Sequence, residues 1–175
     1  MDWKKEIGIA FLVRQKVAEV DTEHILPFAL PQLAATEDAI RSVEAQIGNL
    51  PTDYRSFLLC ANGWDAFCMD RDLFALSDLV AGPRMVRAGE LLATLTPLED
   101  LCGLSEDEVL PIGLAQQDID LFVISRAPGA TLGKVYWLAG QLVEQYQSFS
   151  EFFLAMVDYS RRDIDWLASL RPHEV

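Results

Sequence analysis

Apolar residues recur at three- and four-residue spacing near the start of the chain, at Trp3, Ile7, Ala10, Phe11, Val17 and Val20, and this periodicity predicts an amphipathic helix. Lys4-Lys5 ahead of the run Ile7 to Val13 has the outline of a secretion signal. Glu6 interrupts its charged part, Arg14 and Lys16 follow the apolar run at once, and no small-x-small cleavage site comes after it. Pro27 and Pro31 then mark an irregular linker. Thr36 with Glu37 and Asp38 opens a second helix, an N-cap followed by acids that complement the positive end of the helix dipole. Ala39, Ile40, Val43 and Ile47 form its inner face, and Gly48-Asn49 ends it.

A third helix follows directly. Pro51 sits in its first turn, where a missing N–H has no partner to lose, and Tyr54, Phe57, Leu58 and Ala61 make one apolar stripe. Asn62 and Gly63 are the residue types that most readily take positive φ, so they end the helix at a corner, with Trp64 and Asp65 on the loop just beyond it. A short strand is expected at Leu73 to Leu76. Pro83 then opens a helix with Met85, Val86, Leu92 and Leu95 on one face. Val109–Leu114, Ile119–Ser125, Val135–Leu138 and Gln141–Gln147 read as strands, rich in β-branched and aromatic residues, with Ala139-Gly140 as a tight hairpin between the last two. Ser148 and Glu151 form a capping box for a final helix with Phe149, Phe152, Phe153, Met156, Val157, Ser160, Ile164 and Leu167 on one face. The sum is an α+β fold: a single domain with an antiparallel-rich sheet of about four to six strands, flanked by helices from both ends of the chain. Residues 1–34 are the helix and Pro-containing linker, and residues 35–170 the domain proper.

The motif Leu50, Pro51, Tyr54, Phe57, Leu58, Asn62 and Gly63 resembles the signature of the SUKH superfamily. That group includes fungal cell-wall assembly regulators and bacterial immunity proteins that neutralise toxins. Leu73-Phe74-Ala75-Leu76, Leu110-Pro111-Ile112-Gly113, Asp120 to Ser125, Gly133 to Trp137 and Ser148 to Phe152 resemble the remaining blocks in the family's order. The resemblance runs from Ala35 to Val157. It implies a SUKH-like fold, a structural role for the motif residues, and a protein partner in place of a substrate. An immunity protein that occludes a toxin is one implied role; a regulatory scaffold or peptide-binding adaptor like the fungal relatives is the alternative.

Charge sharpens the picture. The chain of 175 residues carries a formal net charge of −13. Between Arg87 and Arg126 there is no Lys or Arg, while Glu90, Glu99, Asp100, Glu106, Asp107, Glu108, Asp118 and Asp120 all fall there. Such a field repels nucleic acid and anionic membrane and steers basic proteins in, so that the toxin implied by the resemblance would be a basic one such as a nuclease; the competing account is a merely solubilising surface. No apolar run reaches the roughly 18 residues of a membrane span. Cys60, Cys68 and Cys102 are odd in number and lack a C-x-x-C pair, so they read as reduced thiols of a cytoplasmic protein.

Catalysis finds little material. His24 lies near the linker and His173 in the tail, and neither has the setting of a general base. No nucleophile elbow, zinc helix, P-loop or dinucleotide fingerprint is present, so neither an enzyme activity nor a cofactor is expected. Asp118 and Asp120 with Glu106, Asp107 and Glu108 lack the glycine and terminal Glu of a calcium loop, and no metal is assigned to them. The candidate partner-binding residues are therefore Trp64, Asp65, Glu106, Asp107, Asp118, Asp120 and Tyr136. Asp118 and Asp120 fall on one face of a strand, as a partner contact or as charges that blunt a sheet edge. Tyr136 and Trp137 face opposite ways, so only one of them is expected in the core. Trp64 is either an aromatic anchor at the corner or a core residue.

Overall fold

The computed structural model describes residues 1–95 and 97–170. The chain runs α1 (Trp3–Val20), α2 (Glu37–Ile47), α3 (Thr52–Leu58), β1 (Trp64–Cys68), β2 (Arg71–Leu73), α4 (Leu76–Val80), α5 (Pro83–Thr94) and α6 (Leu98–Cys102). After a 3-10 turn at Glu106–Glu108 come β3 (Val109–Ala115), β4 (Leu121–Ser125), β5 (Val135–Leu138), β6 (Leu142–Tyr146) and α7 (Phe149–Leu170). The six strands form one sheet in the order β1-β2-β3-β4-β5-β6, every neighbouring pair antiparallel. This is the expected α+β domain, with helices contributed by both ends of the chain.

Strand register shows why β3, β4 and β5 are apolar along their whole length. Leu121 pairs with Leu138 and Phe122 with Trp137, so each pair occupies one face of the sheet. On the α7 side, the Phe122 ring lies 4.9 Å from Phe152 and the Trp137 ring 5.6 Å from Tyr159, with 5.7 Å between Phe122 and Trp137 themselves. Leu121 and Leu138 instead face Leu91 of α5 and Leu95 just past its end across a small depression. Helices thus cover both faces, and the strands between them carry no solvent face. Tyr136 and Trp137 are accordingly both buried, at 2% and 8% exposure, against the expectation that only one would be.

At the N-terminus of α7, Ser148 Oγ accepts from Glu151 N at 3.1 Å. Glu151 reaches back one residue further than a simple capping box would, to Gln147 N at 2.7 Å. The inner face of α7 is then Phe149, Phe152, Phe153, Met156, Val157, Ser160 and Leu167, with Ile164 half-buried. Helix α1 lies along α7 and closes this core: Trp3 stands 5.4, 5.6 and 5.3 Å from the rings of Phe57, Phe149 and Phe153. Arg14, also buried, donates to the carbonyl of Pro27 at 2.6 Å and pins the linker to the helix. On α2, Thr36 caps the first turn as expected, but Ala39 is exposed, and Ile40 and Val43 are its buried residues.

Pro51 is the residue just before α3, and Tyr54 and Phe57 are fully buried on its inner face. The corner after α3 is tighter than a loop. Gly63 has φ +88°, and a Cβ there would lie 2.7 Å from Ala75 N, so glycine is required twice over. Asn62 does not share the positive φ expected of it; its Oδ1 accepts from Leu76 N at 2.9 Å and starts α4. That bond explains why strand character stops at Leu73 and Leu76 opens a helix instead. The chain leaves Gly63 directly into β1, and Trp64 is its first residue.

Candidate functional site

Helix α5 starts at Pro83, and the next turn presents Arg84 and Arg87, three residues apart and therefore on one side of the helix. Arg84 Nη2 lies 2.8 Å from Asp65 Oδ1 on β1 and 2.8 Å from Asp72 Oδ2 on β2, and its Nη1 lies 3.3 Å from Asp78 on α4. Burial opposes the charge on Arg84, but these carboxylates outweigh it and raise the guanidinium above its ordinary value. Asp72, 2% exposed, also accepts from Ala66 N at 2.7 Å and from the Gln116 side chain at 2.9 Å. A buried carboxylate with a cation and two further donors has its lone pairs well occupied.

Arg87 extends the same ledge toward the β3–β4 turn, donating to the carbonyl of Asp118 at 2.9 Å and to that of Gln116. Beyond the turn, Asp120 accepts from Arg71 at 2.8 Å and from Trp137 Nε1 at 2.6 Å, while the Arg71 guanidinium lies 5.0 Å over the Trp137 ring. Five elements, β1, β2, β5, α4 and α5, and the β3–β4 turn are thus tied together by Arg71, Arg84 and Arg87. Asp72, Pro83, Arg84, Arg87, Leu114 and Gln116 line an open concavity there.

The site residues expected from the sequence divide sharply. Asp65 and Asp118 do come together on this ledge, joined through Arg84 and Arg87. Trp64 does not project from it: the side chain is 0% exposed, donates from Nε1 to the carbonyl of Ala29 at 3.0 Å and packs 5.4 Å from Phe67. The linker crosses the edge of β1 at this point, bridging Pro31 to Trp64, so no partner reaches the indole. Tyr136 is buried as well, at 2% exposure, and offers no contact surface. Asp118 and Asp120 precede β4 and do not share a strand face; Asp118 is exposed, its carboxylate accepting from Ile119 N at 2.8 Å, and Asp120 is buried in the Arg71 pair. Glu106 and Asp107 are exposed, but they sit at the opposite end of β3, whose seven residues at about 3.3 Å each span roughly 23 Å. A second concavity lies at that end, where Arg126 donates to the carbonyls of Ile47 at 2.6 Å and Asp107 at 3.3 Å beside Leu50 and Pro51.

The network residues that sequence reasoning passed over are Arg71, Asp72, Arg84 and Arg87. The arginine-free interval is real along the chain, yet folding brings arginines from outside it onto Asp118 and Asp120. The available signal was the pair at three-residue spacing just after a helix-starting proline.

The site offers little for covalent chemistry. All three cysteines are free, and burial pushes the thiols of Cys68 and Cys102 up, away from the thiolate form that a nucleophile needs. His24 is exposed after α1, and His173 lies outside the described residues. Among the described residues, no group of three or more His, Cys, Asp or Glu side chains is placed to hold a metal ion, and no helix is long and apolar enough to cross a membrane.

A comparison with curated protein sequences finds no match. The profile of the SMI1 / KNR4 family (SUKH-1) matches residues 34–155, from the linker before α2 into the first third of α7. That span holds the Leu50–Gly63 corner, the whole sheet and the arginine-bound ledge, and on it the chain belongs to the SMI1 / KNR4 (SUKH-1) family.

Proposed function

We propose that the protein is a non-catalytic binding module, an immunity protein that acts in the cytoplasm by occluding a basic toxin domain such as a nuclease. The observation that carries this reading is the set of exposed acids left over once the internal network is satisfied. Glu90, Glu99, Asp100, Glu106 and Asp107 are exposed and make no ion pair with any described residue. With a net charge of −13, they form a field that attracts a basic protein and needs no chemistry to inhibit it. Family membership supports a protein partner in general; the basic character of that partner rests on the charges.

The test is capture of the partner from the native host, its identification, and measurement of association against salt. Between 0.1 and 1 M salt the Debye length shrinks from about 10 Å to about 3 Å, so the on-rate is expected to fall steeply while the off-rate changes little. An on-rate flat across that range makes the acidity plain solubilisation. A saturable activity lost on Cys60→Ser or His24→Ala would make the protein an enzyme.

A further inference from the structure

Helix α5 carries more than the ledge. Along the side that presents Arg84 and Arg87, the same spacing brings Leu91 and, just past the helix end, Leu95. There the helix, the β3–β4 turn and the sheet enclose a depression lined by Leu91, Leu95, Ile119, Leu121 and Leu138. Ile119 is 52% exposed although its neighbour Asp120 is buried, so the turn holds an isoleucine out at the rim. The depression is small, about 40 Å³. Its small size and aliphatic walls suit the branched end of a leucine or valine.

The rim is acidic. Asp118 is exposed beside Ile119, and Glu90 is exposed on α5 one turn before Thr94, which also borders the depression; neither makes an ion pair with a described residue. Arg87 marks the junction with the ledge, and its guanidinium is already held by backbone carbonyls. Apolar walls inside, carboxylates at the rim and continuity with the ledge select one kind of occupant. Resting on the proposed binding of a basic protein, we infer that this depression is the anchor point of that interface: it receives a single aliphatic side chain of a partner segment whose flanking Lys or Arg residues face Glu90 and Asp118.

Two short synthetic peptides test this with the full-length chain, each with Lys and Arg around a central position that is Leu in one and Ser in the other. At low salt the Leu peptide is expected to bind about tenfold more tightly, from the burial of its apolar end, and to shift the amide resonances of Leu91, Ile119 and Leu138. Ile119→Ser removes a half-exposed wall and Thr94→Phe places a ring over the opening; either is expected to abolish the preference for Leu and leave the affinity for the Ser peptide unchanged. Glu90→Gln with Asp118→Asn should weaken both peptides by the same factor. Equal affinity of the two peptides for the wild-type chain, with both still salt-sensitive, overturns the anchor and leaves the basic-partner reading standing. Failure of both peptides to bind at low salt overturns the anchor together with the charge reading beneath it.

Discussion

Trp64 illustrates how far a single residue is decided by what crosses it in space. An indole directly after an Asn-Gly corner has the local setting of a binding residue, yet here it is fully enclosed, with its N–H on Ala29 and its ring against Phe67. Trp64→Ala should therefore cost about 3–5 kcal/mol of folding stability, the same class of loss as Phe57→Ala. Urea unfolding of both variants checks this; a Trp64→Ala protein as stable as the wild type would place the indole outside the core. The helix stripe of Tyr54 and Phe57 was legible from spacing alone, since both are fully buried. Gly63 was legible as a turn former, but its second role, letting the backbone of Ala75 approach, depends on a contact twelve residues away in sequence. The burial of Trp64 needed the linker, 35 residues upstream at its hydrogen-bond partner, and no local pattern carries that.

Among the elements, β5 was found residue for residue and β3, β4 and β6 to within one or two, because long β-branched runs bounded by turn residues signal strongly. The short pieces around β2 and α4 were misjudged, since three- and five-residue elements are set by side-chain caps such as Asn62 and Asp78 and not by periodicity. The candidate site was half visible: the acids stood out, whereas the arginines that neutralise some of them came from other elements. Arg84 is the joint among β1, β2, α4 and α5, and its removal is a statement about all four. Arg84→Met leaves Asp72 buried without its cation. We expect a loss of about 2–4 kcal/mol, somewhat below a fully buried pair because the Arg84 side chain is 29% exposed. Adding Asp72→Asn should recover part of it in a double-mutant cycle; a purely additive result would show that the two groups do not interact.

For the molecule as a whole, the tyrosines set an alkaline limit. Burial raises the phenols of Tyr54, Tyr136, Tyr146 and Tyr159 above their ordinary value, with nearby carboxylates adding to it at Tyr54, Tyr146 and Tyr159. In the unfolded chain these phenols ionise near pH 10. Their contribution to stability is fully present below that pH and is lost as the pH rises from there toward the folded values, because the unfolded chain then holds fewer protons than the native one. The phenolate absorbance band should accordingly appear together with unfolding as the pH rises past about 10. Four phenols titrating freely in a chain that keeps its native circular dichroism would contradict their burial.

The acids of this protein serve in two separate capacities. Asp65, Asp72, Asp78 and Asp120 are fastened to Arg84 and Arg71, and the fold hangs on them. Glu90, Glu99, Asp100, Glu106 and Asp107 touch no cation among the described residues, and exchanges at surface positions of that kind shift stability by only about 0.5 kcal/mol in either direction. The outward charge pattern can therefore be rewritten position by position while the frame beneath stays intact, and a lineage of such chains can drift from one partner to another without passing through an unfolded ancestor.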